Sequence, residues 1–178
     1  MNLKNLTLGA LAIAALAAFP LMSGNPYYIH LVETIMIYAI VLFGLDIVVG
    51  YTGQVSLGHA GLFGIGAYTA GVLILKLDAP VYLTIPAAIA VAAVFGAMLA
   101  LPALRVTGPY LAMVTLAFGT IIQILINEMT FLTEGPMGIT LTKPSLFGHA
   151  LDEMEFYWLV LACMVASLIF VHRVLHSQ

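Results

Sequence analysis

The stretch GYTGQVSLGHAGLFGIGAY, Gly50–Tyr68, decides how this chain folds. It carries six glycines and only a few spaced polar side chains, and long apolar runs flank it on both sides. Glycine permits irregular backbone, and its lack of a side chain lets two helices approach closely. Which of these two uses applies here depends on the solvent in which the segment folds.

The composition of the chain places it in a lipid bilayer. Hydrophobic residues make up 63% of the sequence and charged residues 7%, and the mean hydropathy is +1.13. Soluble domains carry about 25% charged residues, so this chain has too few charges to cover a surface that faces water. The net charge is -3 and the sequence contains no block of basic residues, which argues against a nucleic-acid partner. Cys163 is the sole cysteine and excludes an intrachain disulfide.

Six apolar runs have lengths near the roughly 20 residues that cross a bilayer as a helix. Backbone groups in lipid must be satisfied within their own segment, and the runs are too long and too uniformly apolar for barrel strands. The sequence therefore predicts an all-α, polytopic transmembrane helix bundle of about six spanning helices, in a single transmembrane domain over residues 1–178. The runs are Leu6–Met22, Tyr27–Val49, Val55–Leu77, Val81–Leu101, Pro109–Leu132 and Phe156–Val171.

The basic residues near the span ends predict the orientation. With the N-terminus inside, Lys4, Arg105 and Arg173 are cytoplasmic, while Lys76 and Lys143 lie outside. Both ends of the chain are then cytoplasmic. The first run could instead be a signal peptide, but a retained helix is favoured because more apolar runs follow and no soluble domain does.

Small residues form one stripe on the third run. On a helix, Ser56, Ala60, Gly64, Ala67 and Gly71 fall within about 80° of one another. Close backbone approach drives helix association in lipid, and small residues permit it. The spacing predicts a helix-packing face that includes Ala60, Gly64, Ala67 and Gly71.

The segment before this stripe has two interpretations. Gly50–Ser56 interrupts the apolar pattern, either as a simple turn on the inside or as a helix that is broken below the membrane surface. Broken helices at membrane depth line cavities or are buried in protein. Gln54, Ser56 and His59 are therefore candidates for lining a polar path. For His59, the alternative is a buried histidine that bonds across a helix interface.

The fifth run carries a polar face. Thr120, Gln123, Asn127 and Thr130 lie within about 80° on a helix, and Glu128 lies roughly 100° away near the end. Uncharged polar groups in lipid are expected to face other helices or water. They could line the transport path or hold helices together, and Thr120, Gln123 and Asn127 are retained as path candidates.

Other chemistry receives little support from the sequence. The acids Glu33 and Asp46 lie near the ends of their run, where capping or a reach toward the headgroups is expected. No phosphate-binding loop, metal-ligand spacing or dinucleotide fingerprint is present, so we expect no cofactor, no metal site and no ATP hydrolysis by this chain. Ser56 and His59 could meet on a helix as a nucleophile and its base, but nothing marks an oxyanion site.

Two long stretches resemble a known transporter family. GLDIVVGYTGQVSLGHAGLFGIGAYTAG, at Gly44–Gly71, and the segment from Leu104 to Thr140 are similar to the LivM-type permease subunit of branched-chain amino acid ABC importers. A weaker likeness covers Pro144–Gly148 and Phe156–Ala162. The resemblance extends over nearly all of the chain after about residue 30.

This resemblance implies a mechanism and a set of partners. Two similar permease subunits would form a heterodimer in the bacterial inner membrane, with two ABC ATPase subunits docked beneath it and a periplasmic amino-acid-binding protein delivering leucine, isoleucine, valine or a related amino acid. ATP binding and hydrolysis by the partner subunits would switch the path between outward and inward access. The binding protein would carry most of the specificity, so weak polar contacts would suffice in the membrane.

The resemblance leaves alternatives open. Urea-type permeases are also similar, and a non-transport membrane scaffold or a small channel could use the same packing stripe. In family members, a segment that resembles the last residues before Gln178 is followed by a cytoplasmic loop, and the ATPase docks on that loop. We therefore expect this chain to be an N-terminal fragment, incomplete at its C-terminus.

Overall fold

The chain folds as an all-α bundle, as the sequence predicts. A computed structural model describes residues 3–22, 24–51, 53, 56–106, 108–141, 145–146 and 149–176. In the part of the sequence that connects the last two long helices, two short strands pair in an antiparallel arrangement. In chain order the elements are α1 Leu3–Met22, α2 Pro26–Asp46, a π-helical turn Ile47–Tyr51, α3 His59–Leu77, α4 Val81–Ala103, α5 Pro109–Glu128, α6 Thr130–Thr133, a 3-10 turn Gly135–Met137, β1 Ser145–Leu146, β2 His149–Ala150 and α7 Glu153–His176.

Five of the described helices are long and apolar enough to cross a membrane. A further apolar helical stretch, Leu11–Met22, is shorter. About six spans are predicted from the sequence, and the structure supplies five of full length together with this shorter one. The protein is therefore a multi-pass membrane protein. The full-length spans are Pro26–Gly50, His59–Leu77, Val81–Ala103, Pro109–Glu128 and Glu153–Leu175.

The chain divides into two compact units, of which the first comprises residues 1–44 and 151–178. Its core joins α2 and α7, and side chains of α1 pack against that core. Tyr157 is completely buried there, and its hydroxyl donates a hydrogen bond of 2.6 Å to the Leu16 carbonyl of α1. This bond satisfies the one polar atom of the ring in an otherwise apolar site. The buried core residues are Ile29, Met36, Tyr157, Val160, Leu161 and Met164.

Glu33 corrects an expectation from the sequence. Its side chain does not reach out from the end of α2, because it is only 3% exposed. Glu33 follows Ile29 by four residues and precedes Met36 by three, so all three lie on the buried face of α2. The carboxylate is within 2.6 Å of Nδ1 of the exposed His30, which supplies a polar partner at the edge of the core.

The second unit, residues 45–150, is built around α3. This helix packs along α4 and α5, which also contact each other. Because α3 touches both neighbours, two of its sides are covered, and its Gly61 lies at a close contact with α5. The buried positions of the three helices are Gly61, Ile65 and Gly71 in α3, Val81 and Thr84 in α4, and Leu111, Thr115 and Ile122 in α5.

Two helix ends differ from the apolar runs that predict them. The third run starts at Val55, but α3 begins at His59, after Gly53 with a φ of +65°. The fifth run continues to Leu132, but α5 ends at Glu128 and α6 begins at Thr130. Ser56 therefore lies outside α3, and Thr130 lies outside α5. This corrects the prediction at two positions: the small-residue stripe does not include Ser56, and the polar face of the fifth run does not include Thr130.

Candidate functional site

The backbone just before α3 is irregular. Residues Ser56 and Leu57 are non-helical and Gly58 forms a turn, and we call Ser56–Gly58 the unwound segment. The Leu57 amide donates a hydrogen bond of 2.9 Å to Oγ1 of Thr115 in α5. A Cβ atom on Gly58 would lie 3.0 Å from Cδ2 of Leu99 in α4 and 3.4 Å from Cβ of Thr115. The unwound segment therefore packs against both α4 and α5, and a side chain at position 58 would need the Leu99 side chain to move by a few tenths of an ångström.

This segment lies inside the helical layer of its neighbours. Thr115 comes six residues after Pro109, the first residue of α5, or about 9 Å along the helix at 1.5 Å per residue. Leu99 comes four residues before Ala103, the last residue of α4, or about 6 Å from that end. Irregular backbone at such depth is found where protein buries it or where it lines a cavity. Residues 52, 54 and 55 of Gly50–Ser56 lie outside the described residues, so the simple turn and the helix broken below the surface both stay predictions.

Thr115 has the chemistry to hold that break. Its side chain is buried, at 3% exposure, and its hydroxyl lies 3.0 Å from the Leu111 carbonyl and 3.1 Å from the Ala112 carbonyl. The hydroxyl proton is donated back to these carbonyls of α5, so a lone pair is left to accept the Leu57 amide. A single side chain thus supplies the acceptor for an amide that lies outside the helix.

The two helices α3 and α5 approach each other closely at Gly61. A Cβ atom on Gly61 would lie 3.1 Å from Cα of Gly119 and 3.3 Å from Cε1 of Phe118. Both glycines are in the stretches that carry the family resemblance, but the predicted stripe of small residues includes neither of them. The usable signal is the spacing of Gly58, Gly61 and Ile65, which places them on one face at the start of α3, about 120° from the centre of the predicted stripe.

The four predicted packing residues divide between two environments. A Cβ on Gly64 would meet Cδ1 of Ile126 at 3.5 Å, and one on Gly71 would meet Cδ1 of Ile139 at the same distance. Ala60 and Ala67 are exposed in the described chain. The part of the stripe formed by these two alanines stays a prediction for contacts outside this chain.

The candidate path residues fall into two groups. Ser56 and His59 are half-buried around the unwound segment, and Gln54 lies outside the described residues. Thr120, Gln123 and Asn127 are exposed on α5, and the Thr120 hydroxyl donates to the Leu116 carbonyl at 3.1 Å. On the helix these three lie about 80–140° from Thr115. The contacts of the unwound segment with α5 therefore run through Thr115 and Gly119, on a different side from the polar face.

The break between α5 and α6 is also held by a buried threonine. The Thr133 hydroxyl bonds to the carbonyls of Ile126 and Met129 and accepts the Gly135 amide at 3.3 Å. Lys76, at the end of α3, donates to the Phe131 carbonyl and lies 5.9 Å from the centroid of its ring. Both contacts join α6 and the turn after it to the helices of the second unit.

The described residues bring together no three side chains of the types that ligate metal ions. The arrangement therefore consists of shape and neutral hydrogen-bonding groups: a broken helix start, a glycine crossing and a polar stripe on a spanning helix. Broken helices of this kind occur at the solute sites of transporters. Small and polar residues on spanning helices also pack against partner helices.

Comparison with known proteins identifies the family. A family model described as "Branched-chain amino acid transport system / permease component" matches residues 27–178, so the chain belongs to this permease family. The chain is 40% identical over 146 residues to the "High-affinity branched-chain amino acid transport system permease protein LivM" of Escherichia coli (strain K12), and the same values apply to the protein of that name from Salmonella typhimurium. The alignment covers 82% of this chain and 34% of each relative. The chain thus spans about a third of the length of the curated relatives it matches, and no solved structure matches it significantly.

Proposed function

We propose that the chain forms part of the path by which an ABC importer moves branched-chain or related amino acids across the bacterial inner membrane. Membership of the permease family supports the transport role. In this proposal a second permease subunit completes the membrane part, two ABC ATPase subunits supply the energy, and a periplasmic amino-acid-binding protein delivers the substrate. The chain itself hydrolyses no ATP.

The single observation that carries the proposal is the exposed polar stripe on α5. Gln123 lies five residues before Glu128 and Thr120 eight, which corresponds to depths of about 7 and 12 Å from that end of the helix. Asn127 lies at the end itself. Carboxamides are costly to expose to hydrocarbon, so such groups face the bundle interior, other helices or water. The stripe begins at one end of a spanning helix, and no other part of the described chain covers it. It therefore fits a water-filled path or a contact with a partner helix.

The unwound segment supports the same proposal from α3. Transporters bind solutes where spanning helices are interrupted, because unwound backbone offers polar groups that a regular helix keeps for itself. Ser56 is the first residue of this segment, His59 follows it, and Gln54 precedes it in the sequence. We assign these three residues, with Thr120, Gln123 and Asn127, to the path as the residues to be tested.

The predicted orientation gives the stripe a direction. With both ends of the chain in the cytoplasm, α5 runs outward, and the Glu128 end with its polar stripe faces the periplasm. A solute released by a binding protein would then meet Asn127 first. The packing face with Ala60 and Ala67 is left for the second permease subunit or for further helices.

Uptake by the complete transporter tests the proposal. The gene is expressed with its genomic neighbours in cells that lack their own branched-chain amino acid transport, and uptake of labelled leucine is compared with that of labelled urea. We expect leucine uptake that depends on ATP and on this chain. Urea uptake without leucine uptake would assign the chain to the urea and amide permeases, and uptake of neither by an assembled complex would favour a scaffold or channel.

A further inference from the structure

We propose that Thr115 is a positioning residue for transport, because its buried hydroxyl fixes the unwound segment at the start of α3. This inference rests on the proposed transport function. It concerns a residue that the sequence patterns do not mark, since Thr115 lies on the buried face of α5 and not on its polar stripe.

The peptide groups of Leu57 are held by one face of α5. The amide of Leu57 donates to Oγ1 of Thr115 at 2.9 Å, and a Cβ atom on Gly119 would lie 3.8 Å from the Leu57 carbonyl oxygen. Thr115 and Gly119 are four residues apart and therefore adjacent on the same side of the helix. The hydroxyl sets the position of Leu57 along α5, and the Leu57 carbonyl lies at ordinary contact distance from the position of a Cβ atom on Gly119.

This contact controls the residues assigned to the path. Leu57 follows Ser56 directly and precedes His59 by two residues, so the placement of its backbone determines where both polar side chains lie. On its other side Gly58 lies against α4, where a Cβ atom on it would be 3.0 Å from Cδ2 of Leu99. With one side closed by Leu99, the bond to Thr115 is the polar contact that selects one backbone position.

Replacing the hydroxyl by a methyl group removes the acceptor of the Leu57 amide together with the bond that the hydroxyl donates back to its own helix. Thr115→Val keeps the shape of the side chain and leaves the Leu57 amide without its acceptor. Thr84 provides a matched control in α4. It is also almost fully buried, at 1% exposure, but its hydroxyl donates only to the Val81 carbonyl of its own helix, so Thr84→Val strands no amide.

The test measures the concentration dependence of labelled leucine uptake by the complete transporter, with the amount of assembled complex determined for each variant. We expect Thr115→Val to lower Vmax about ten-fold, the ratio that corresponds to one buried hydrogen bond to a stranded donor. KM should stay within about two-fold, because Thr115 does not contact the solute. Thr115→Ser should restore most of Vmax, and Thr84→Val should match the wild type.

The outcomes separate this inference from the proposed function. Absence of leucine uptake by the wild-type complex refutes the function itself. Normal uptake by wild type together with normal Vmax in Thr115→Val refutes the positioning role, as does a change in KM alone or a failure of Thr115→Ser to restore uptake. If Thr115→Val does not assemble, Thr115→Cys keeps the volume with a weaker acceptor, and an unchanged Vmax in that variant refutes the role.

Discussion

The glycine crossing between α3 and α5 gives a prediction whose size follows from two distances. In Gly61→Ala, the new Cβ atom would lie 3.1 Å from Cα of Gly119 and 3.3 Å from the Phe118 ring. The backbone atom cannot rotate aside, so α3 and α5 must separate by a few tenths of an ångström. Overpacking of this kind costs about 1–3 kcal/mol.

A second glycine of the same helix isolates that cost. A Cβ atom on Gly66 would have no neighbouring atom within 4 Å, so Gly66→Ala meets open space. Both substitutions bring the same gain in helix propensity, about 1 kcal/mol for glycine to alanine in water. The gain cancels in the comparison, so Gly61→Ala should be less stable than Gly66→Ala by about 1–3 kcal/mol.

The comparison is made on the assembled transporter in mild detergent, by following the loss of the monodisperse peak in size-exclusion chromatography after heating. We expect the midpoint for Gly61→Ala to fall several degrees below that for Gly66→Ala. Gly64→Ala should resemble Gly66→Ala, because its Cβ would meet Cδ1 of Ile126 at an ordinary 3.5 Å. Equal midpoints for the Gly61 and Gly66 variants would refute the crossing as described.

Three further outcomes follow from other contacts. Gln123→Leu should lower leucine uptake several-fold while the adjacent, also exposed Ile124→Leu stays near wild type, and equal uptake by both would remove Gln123 from the path. Glu33→Gln should preserve thermal stability, because the amide oxygen still accepts a hydrogen bond. Glu33→Ala should lose about 2 kcal/mol of stability through the cavity it leaves, and a stable alanine variant in the same heating assay would contradict this burial. Tyr157→Phe should cost about 1 kcal/mol, since it strands the Leu16 carbonyl of α1, and a wild-type midpoint would argue against that bond.

The sequence predicts the helices well because their signal is local. Apolar runs of bilayer length are recognisable without any knowledge of neighbours, and Val81 is the first residue of both the predicted run and α4. The family is recognisable for a similar reason, since the glycine-rich stretch is long and ordered. Its two conspicuous polar sets, around Ser56 and along α5, also come from local composition.

The ends and rotations of the helices depend on distant residues, and these the sequence does not predict. The start of α3 is settled by a hydroxyl that lies 58 residues further along the chain. The burial of Glu33 depends on how α2 is rotated against α7, and nothing in the apolar run of α2 fixes that angle. The same limit explains Gly61, because a run rich in glycine offers several faces and only the partner helix selects one.

The bond from Leu57 to Thr115 also bears on how the protein is made. The ribosome delivers the amide of Leu57 to the membrane before the side chain that accepts its proton has been synthesised, because α4 and the first part of α5 come between them. During that interval the start of α3 has only temporary hydrogen-bond partners, in water or in the insertion machinery. We expect α3 to reach its final register only after α5 has been inserted, so that biogenesis of this unit is completed by a helix that arrives late.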